Sequence, residues 1–262
     1  SVIGKDLQIP MVVNRDYGIP RFVNSETLFI ASSYSGNTEE TLSATEEAVR
    51  RGATVICLTA GGQIEQISQK NGCPLFRMPP DYPPRSALGF SLGILFQIFS
   101  SLGIGGLTRQ AVDSAVSMLT DRGSIWLDVD RPENQPLKVA EQLLGSLPLI
   151  YASVNYLEFV GYRWKTQFNE NSCVHAFFHP FPEMNHNEIV GWQKIESMHK
   201  YLAGLSAIVL CDPEDHPRIV RRMQIFNTIL KNNGFPVIEL SGEGEAFLQR
   251  ILYLIHFGEW VS

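Results

Sequence analysis

Residues 27–59 read TLFIASSYSGNTEETLSATEEAVRRGATVICLT, and this stretch decides the fold. Residues 27–32 (TLFIAS) form a short apolar run with the length of a buried strand. Residues 39–51 then place Leu42, Thr45, Ala48 and Val49 on one face at helical spacing, and Gly52 supplies the stop. Residues 54–59 (TVICLT) give a second buried strand. Strand, helix and strand within about 30 residues make a βαβ unit, with parallel pairing and a right-handed crossover.

The turn that ends the first strand is Ser32-Ser33-Tyr34-Ser35-Gly36-Asn37-Thr38-Glu39-Glu40. In an open α/β sheet this is where ligands bind. Hydroxyls and backbone N–H groups converge there on a helix N-terminus, whose unsatisfied donors and partial positive charge suit a phosphate dianion. Capping a helix needs one Ser or Thr, and this turn offers Ser32, Ser33, Ser35 and Thr38. Gly36 is expected to let the backbone approach the ligand. Asn37 with Glu40 fits an N-cap and capping box.

Outward from this unit the same grammar continues. Residues 10–14 (PMVVN) and 73–76 read as further strands, and residues 86–102 and 109–119 as helices. The polar, proline-containing stretch 121–136 reads as a boundary. Beyond it come strand-like 147–152, helical 156–169, strand-like 206–211, helical 216–232, strand-like 236–240 and a last helix near 243–257. The expected organisation is a lobe over 1–122, a linker and connecting helix over 123–145, and a second lobe over 146–262. The fold class is α/β, each lobe a mostly parallel sheet flanked by helices.

Composition limits the function classes. Of 262 residues 44% are hydrophobic and 18% charged, the profile of a chain with a sizeable core. The net charge of −6 argues against a nucleic-acid surface, which calls for a basic stripe. The longest apolar run, 87–107, is broken by Gly, Ser and Gln, so it reads as a buried helix and no membrane span is expected. Cys57, Cys73, Cys173 and Cys211 are scattered, without a C-x-x-C pair. That fits a reducing cytoplasm and no disulfide frame.

The SSYSGNTEET stretch resembles the phosphate loop of sugar isomerase (SIS) domains, which also occur as sugar-phosphate sensors in regulators. Two further stretches narrow the resemblance. One is Tyr82-Pro83-Pro84-Arg85-Ser86-Ala87-Leu88-Gly89. The other is Asn169-Glu170-Asn171, followed by FPEMNHNEIVGW at 181–192. Together, in this order, they resemble the bifunctional phosphoglucose/phosphomannose isomerases of archaea and bacteria over essentially the whole chain. The resemblance implies two SIS lobes and an aldose–ketose isomerase without metal or other cofactor. Its substrates would be fructose 6-phosphate, glucose 6-phosphate and mannose 6-phosphate, interconverted through a cis-enediol.

The same resemblance assigns roles. Glu170 matches the general base. His186, sixteen residues later, matches the ring-opening histidine, with the glutamate-to-histidine spacing of the isomerase half of glucosamine-6-phosphate synthase. In these families that histidine comes from the neighbouring subunit, which implies a homodimer. Arg85 matches the arginine facing the enediolate charge. Ser33, Ser35, Thr38 and Ser1 match phosphate contacts, Ser1 as the serine of an early Gly-Ser turn. A family lysine and a threonine tied to mannose 6-phosphate are expected beyond Ser262.

Residue by residue, other readings stand beside these. Glu170 and His186 also suit a surface glutamate and a capping histidine, and Arg85 a helix start. Glu183 and Glu188 are rival bases. His175, His179 and His186 invite a metal reading, although their spacing fits no familiar zinc pattern. His216, in Asp-His-Pro-Arg, reads as a helix-start residue. A non-catalytic sugar-phosphate sensor would need the loop alone. An aminating isomerase would need a nitrogen source, and the sequence offers no glutaminase domain.

Overall fold

A computed structural model describes residues 7–154, 157–193 and 199–262. The chain separates into two compact units, Asp6–Leu107 and Thr108–Ser262.

The first unit is built on β1 (Leu28–Ser32), β2 (Thr54–Thr59) and β3 (Leu75–Arg77), a parallel sheet in the order β1-β2-β3. Its register runs from Leu28 beside Thr54 to Ser32 beside Leu58. Helices α1 (Glu39–Arg50), α2 (Gly62–Asn71) and α3 (Leu88–Ser101) complete it. Alternation along β2 assigns its two faces. Val55 and Cys57 join Ala31, Ala44, Ala48 and Ile64 in one core, whereas Leu58 packs with Met78 and Ile98 in another. The small residues of α1 let it lie close on the sheet, as the 27–59 reading requires.

Residues 10–14, expected as a strand, are not one. No ladder reaches them, and Met11, Val12 and Val13 are exposed. Three apolar residues after a proline that lacks an N–H do not hold extended structure without a neighbouring strand to bond.

In the second unit β4 (Leu147–Ser153), β5 (Phe177–Phe181), β6 (Leu205–Cys211) and β7 (Val237–Ser241) form a parallel sheet in the order β5-β4-β6-β7. Around it run α4 (Arg109–Trp126), α5 (Gln135–Leu143), α6 (Glu158–Asn171), α7 (His199–Leu202), α8 (Pro217–Asn232) and α9 (Phe247–Val261). Ile150, Ala152, Ile208 and Leu210 face a core shared with α5, α6 and α9. Leu149, Tyr151, Ala207 and Val209 face the other way, onto Phe181, Met184, Trp192 and Phe226. Arg250 of α9 is buried, its guanidinium bonded to both Asp212 oxygens at 2.8 and 3.2 Å and to Glu214 at 2.6 Å.

The boundary differs from the expected one. The division falls at Leu107, and residues 121–136 lie inside the second unit. Helix α4 does not stop at 119 but continues to Trp126, whose ring packs on Tyr253 and Phe257 at 5.6 and 5.5 Å. Arg122 pairs with Glu243 at 2.7 Å. Pro136 opens α5, the expected connecting helix, and Asn134 caps it while donating to the Trp126 carbonyl. The polar residues thus serve a helix-to-helix junction.

Candidate active site

The 32–40 loop of the first unit, where a phosphate site is expected, is cross-braced from within. Ser33 Oγ lies 2.9 Å from Thr38 Oγ1 and accepts from the Gly36 N–H at 3.1 Å. Ser33 is buried, whereas Ser35 and Thr38 are exposed. The β2–α2 turn holds the loop from the other side, through Ala60 N–H to Tyr34 O (2.9 Å) and Ile64 N–H to Gly36 O (3.0 Å).

One local expectation is corrected here. Asn37 is not the N-cap of α1; Thr38 is, and its side chain makes no capping bond. Asn37 Oδ1 instead accepts from the Gln63 N–H, at the start of α2. The first-turn N–H groups of α1 are therefore left without a side-chain cap. Gly36 has φ +67°, and a Cβ there would lie 1.8 Å from the Gly61 carbonyl oxygen. Packing of the protein on itself already demands glycine at this position.

Tyr34, which the sequence reading passed over, joins two of the motifs. Its hydroxyl donates to the Pro79 carbonyl at 2.8 Å and accepts from the Tyr82 N–H at 2.9 Å. Tyr82 leads directly into the single 3-10 turn Pro84–Ala87, which carries the half-buried Arg85. Ser33, Ser35 and Thr38 thus share one loop, and Arg85 is tethered to it through Tyr34. Ser1 lies outside the described residues.

In the second unit Glu170 occupies the last turn of α6 and is exposed. The helix beneath it is firmly held. Trp164 is fully buried, donates to the Leu254 carbonyl at 2.8 Å and stacks on Phe257 at 6.1 Å. A Cβ on Gly258 would strike the Trp164 ring at 2.5 Å. Glu259 accepts from Arg163 at 2.8 Å and from Gln167 at 3.0 Å. Burial pushes the Glu259 carboxyl up, but bonds from His256 and Arg163 outweigh it and hold the group below its ordinary value. Asn171 Nδ2 donates to Ser262 Oγ at 2.9 Å, closing the end of the helix.

His186 ends a 3-10 turn, Glu183–His186, that follows β5, and it too is exposed. Among the described residues no hydrogen bond or ion pair joins it to Glu170. Glu188 has both oxygens engaged: Tyr151 donates its hydroxyl to Oε1 at 2.5 Å, and His179 Nδ1 lies 2.7 Å from Oε2. Both oxygens of this rival base are thus in contact with side chains of its own unit. His216 Nδ1 accepts from the Arg218 N–H at 3.1 Å, the capping expected of a helix-start residue. Among the described residues no three His, Cys, Asp or Glu side chains group as a metal would require. No helix among them is long and apolar enough to cross a membrane.

Comparison with known proteins places the chain. Residues 132–262 match the bacterial phospho-glucose isomerase C-terminal SIS domain family. The chain is 39% identical over 257 residues to the bifunctional phosphoglucose/phosphomannose isomerase of Caldicellulosiruptor bescii, covering 97% of this chain and 75% of that protein. To the enzyme of the same name from Aquifex aeolicus it is 34% identical, covering 97% and 74%. Among solved structures, the C-terminal domain of glucosamine-fructose-6-phosphate aminotransferase from Francisella tularensis shares the fold. That match has a TM-score of 0.68 at 14% identity, over 99% of this chain and 76% of the other. The chain carries an SIS-domain fold and belongs to the bifunctional phosphoglucose/phosphomannose isomerase family.

Proposed function

We propose that this protein interconverts fructose 6-phosphate with glucose 6-phosphate and mannose 6-phosphate, each compact unit being one SIS lobe. The observation that carries the reading is the open first turn of α1, beside the exposed hydroxyls of Ser35 and Thr38. Helix N–H groups with no side-chain cap, next to a ring of hydroxyls, form a receptor for a phosphate dianion. Ser33 braces that receptor from below, and Ser1 contributes to it.

The chemistry then follows from three side chains. His186 of a neighbouring subunit opens the sugar ring, taking the anomeric hydroxyl proton and returning one to the ring oxygen. Glu170 removes the proton from the carbon next to the carbonyl and delivers it to the neighbouring carbon, through a cis-enediolate. Arg85 faces the charge that builds on the enediolate oxygen. No cofactor takes part, and the active form is a homodimer. The four cysteines are free thiols, as in a reducing compartment such as the cytoplasm.

A coupled assay on the full-length protein tests this. Fructose 6-phosphate is supplied with EDTA present, and the two aldose phosphates are followed separately. Turnover that survives EDTA and falls about 10²–10⁴-fold in Glu170→Gln, with substrate still bound, is the expected result. Binding without formation of either product in the wild type would sink the proposal.

A further inference from the structure

The segment that carries His186 is fastened by four side chains, of which Glu188 and Trp192 lie in the 181–192 motif and Tyr151 and His179 outside the quoted motifs. His186 closes one 3-10 turn, and Glu188 opens the next, Glu188–Trp192. Both ends of this second turn grip one atom. Tyr151 Oη donates to Glu188 Oε1 at 2.5 Å and accepts from Trp192 Nε1 at 3.0 Å. The remaining Glu188 oxygen faces His179 Nδ1 at 2.7 Å. Tyr151 belongs to the central strand β4 and His179 to the adjoining β5. Two residues from the exposed His186, the chain is thus pinned to both strands.

The surroundings make this clasp stiff. Tyr151 is completely buried, and its ring packs edge-on against Phe226 at 4.7 Å. Burial and the Glu188 carboxylate push its phenol far up, so it stays a neutral donor. Trp192 is buried against Phe235 at 4.9 Å. Asn187 Oδ1 accepts from the Glu188 N–H at 2.6 Å, fixing the backbone between the histidine and the clasp. A carboxylate that accepts from a buried phenol on one oxygen and faces an imidazole with the other, in a half-buried place, is held as an anchor for the segment that carries it.

We propose that Glu188 is a positioning residue: with Tyr151, Trp192 and His179 it fixes the segment that presents His186 to the sugar ring. The proposal rests on the reading of His186 as the ring-opening group. Glu188 touches no reacting atom and acts through the histidine alone. Loss of the clasp lets the segment sample many orientations and lowers the fraction of encounters in which the imidazole meets the ring oxygen. The phosphate receptor, made elsewhere, is untouched.

The test is a double-mutant cycle on the full-length protein with fructose 6-phosphate, read together with native-state amide exchange. In Glu188→Ala, kcat is expected to fall about 10–100-fold with KM within about threefold of wild type. Glu188→Gln keeps an acceptor for Tyr151 and a group able to pair with His179, and restores most of the loss. In a His186→Ala background, Glu188→Ala costs nothing more, because both substitutions remove one contribution. Amide exchange over residues 183–192 speeds at least about tenfold, while that of α6 stays as in wild type.

An additive loss in the cycle would overturn the proposal. So would a loss equal to that of Glu170→Gln with no recovery in Glu188→Gln, since Glu188 would then handle a proton itself. Unchanged exchange over 183–192 overturns it whatever the activity. Should Glu188→Ala fold poorly, Tyr151→Phe removes only the hydroxyl and is expected to give the same pattern. A wild type that turns over no sugar phosphate defeats the functional reading by itself, and the exchange experiment then decides the clasp.

Discussion

In the Asp6–Leu107 unit the serine and threonine hydroxyls of the loop are fixed by neighbours in sequence, Ser33 to Thr38 and Gly36, Ser35 to the Asn37 N–H, and only Tyr34 and Asn37 reach further. In Thr108–Ser262 the corresponding work is done over long separations. Helix α6, which bears Glu170, is held by Leu254 and Glu259, 90 residues or more further along. The Glu188 clasp reaches back 37 residues to Tyr151. The contrast matches the two tasks proposed above. A phosphate receptor needs only N–H groups and hydroxyls from one turn. A proton-transfer site needs side chains held at set positions by several elements, so its accuracy depends on the packing of a whole domain.

The comparison can be broken at its long-range end with the largest effect. Arg250→Ala leaves the buried Asp212 without a counter-charge, and urea denaturation is expected to show a loss of about 3–5 kcal/mol. A loss below about 1 kcal/mol would mean that the distant ties hold the second unit less than described. The short-range end is broken by Gly36→Ala. A left-handed φ costs an L-residue about 1–2 kcal/mol, and the added methyl meets the Gly61 carbonyl. Urea denaturation should find the first unit less stable by at least about 1–2 kcal/mol. Unchanged stability would show that the loop tolerates a different shape.

The smallest effect sharpens the contrast. The folded pKa of Glu259 is depressed, so its contribution to stability is fully present above the ordinary value of 4.5 and is lost as pH falls through the lower folded value. Melting curves of wild type and Glu259→Gln should therefore converge on acidification below about pH 4.5 and separate above it. Parallel curves would remove Glu259 from the forces that hold α6 on α9.

What was legible in the sequence follows the same division by distance. Residues 27–59 gave β1, α1 and β2 within a residue or two, because strand length, helical spacing and the Gly52 stop are local signals. Strand β5 went unread, since His179 and Pro180 interrupt its apolar run. Helix α2 was missed as well, with only Ile64 and Ser68 buried along it. The strand expected at 10–14 had the right residues but no neighbour to pair with. Within the candidate site the loop hydroxyls could be named from sequence. Tyr34 could not, because its bonds reach Pro79 and Tyr82, 45 and 48 residues away. Nor could the partners of Glu188, because a carboxylate's contacts are set by the fold and not by its own neighbourhood.

The Tyr34 tether has one more consequence. A single phenol oxygen ties the loop to the stretch of chain leading to Arg85, so the proposed phosphate end and the proposed charge-stabilising end of the first unit are joined before any sugar arrives. The freedom of these two segments to move against each other is given up once, when the chain folds, and is not surrendered again at every turnover.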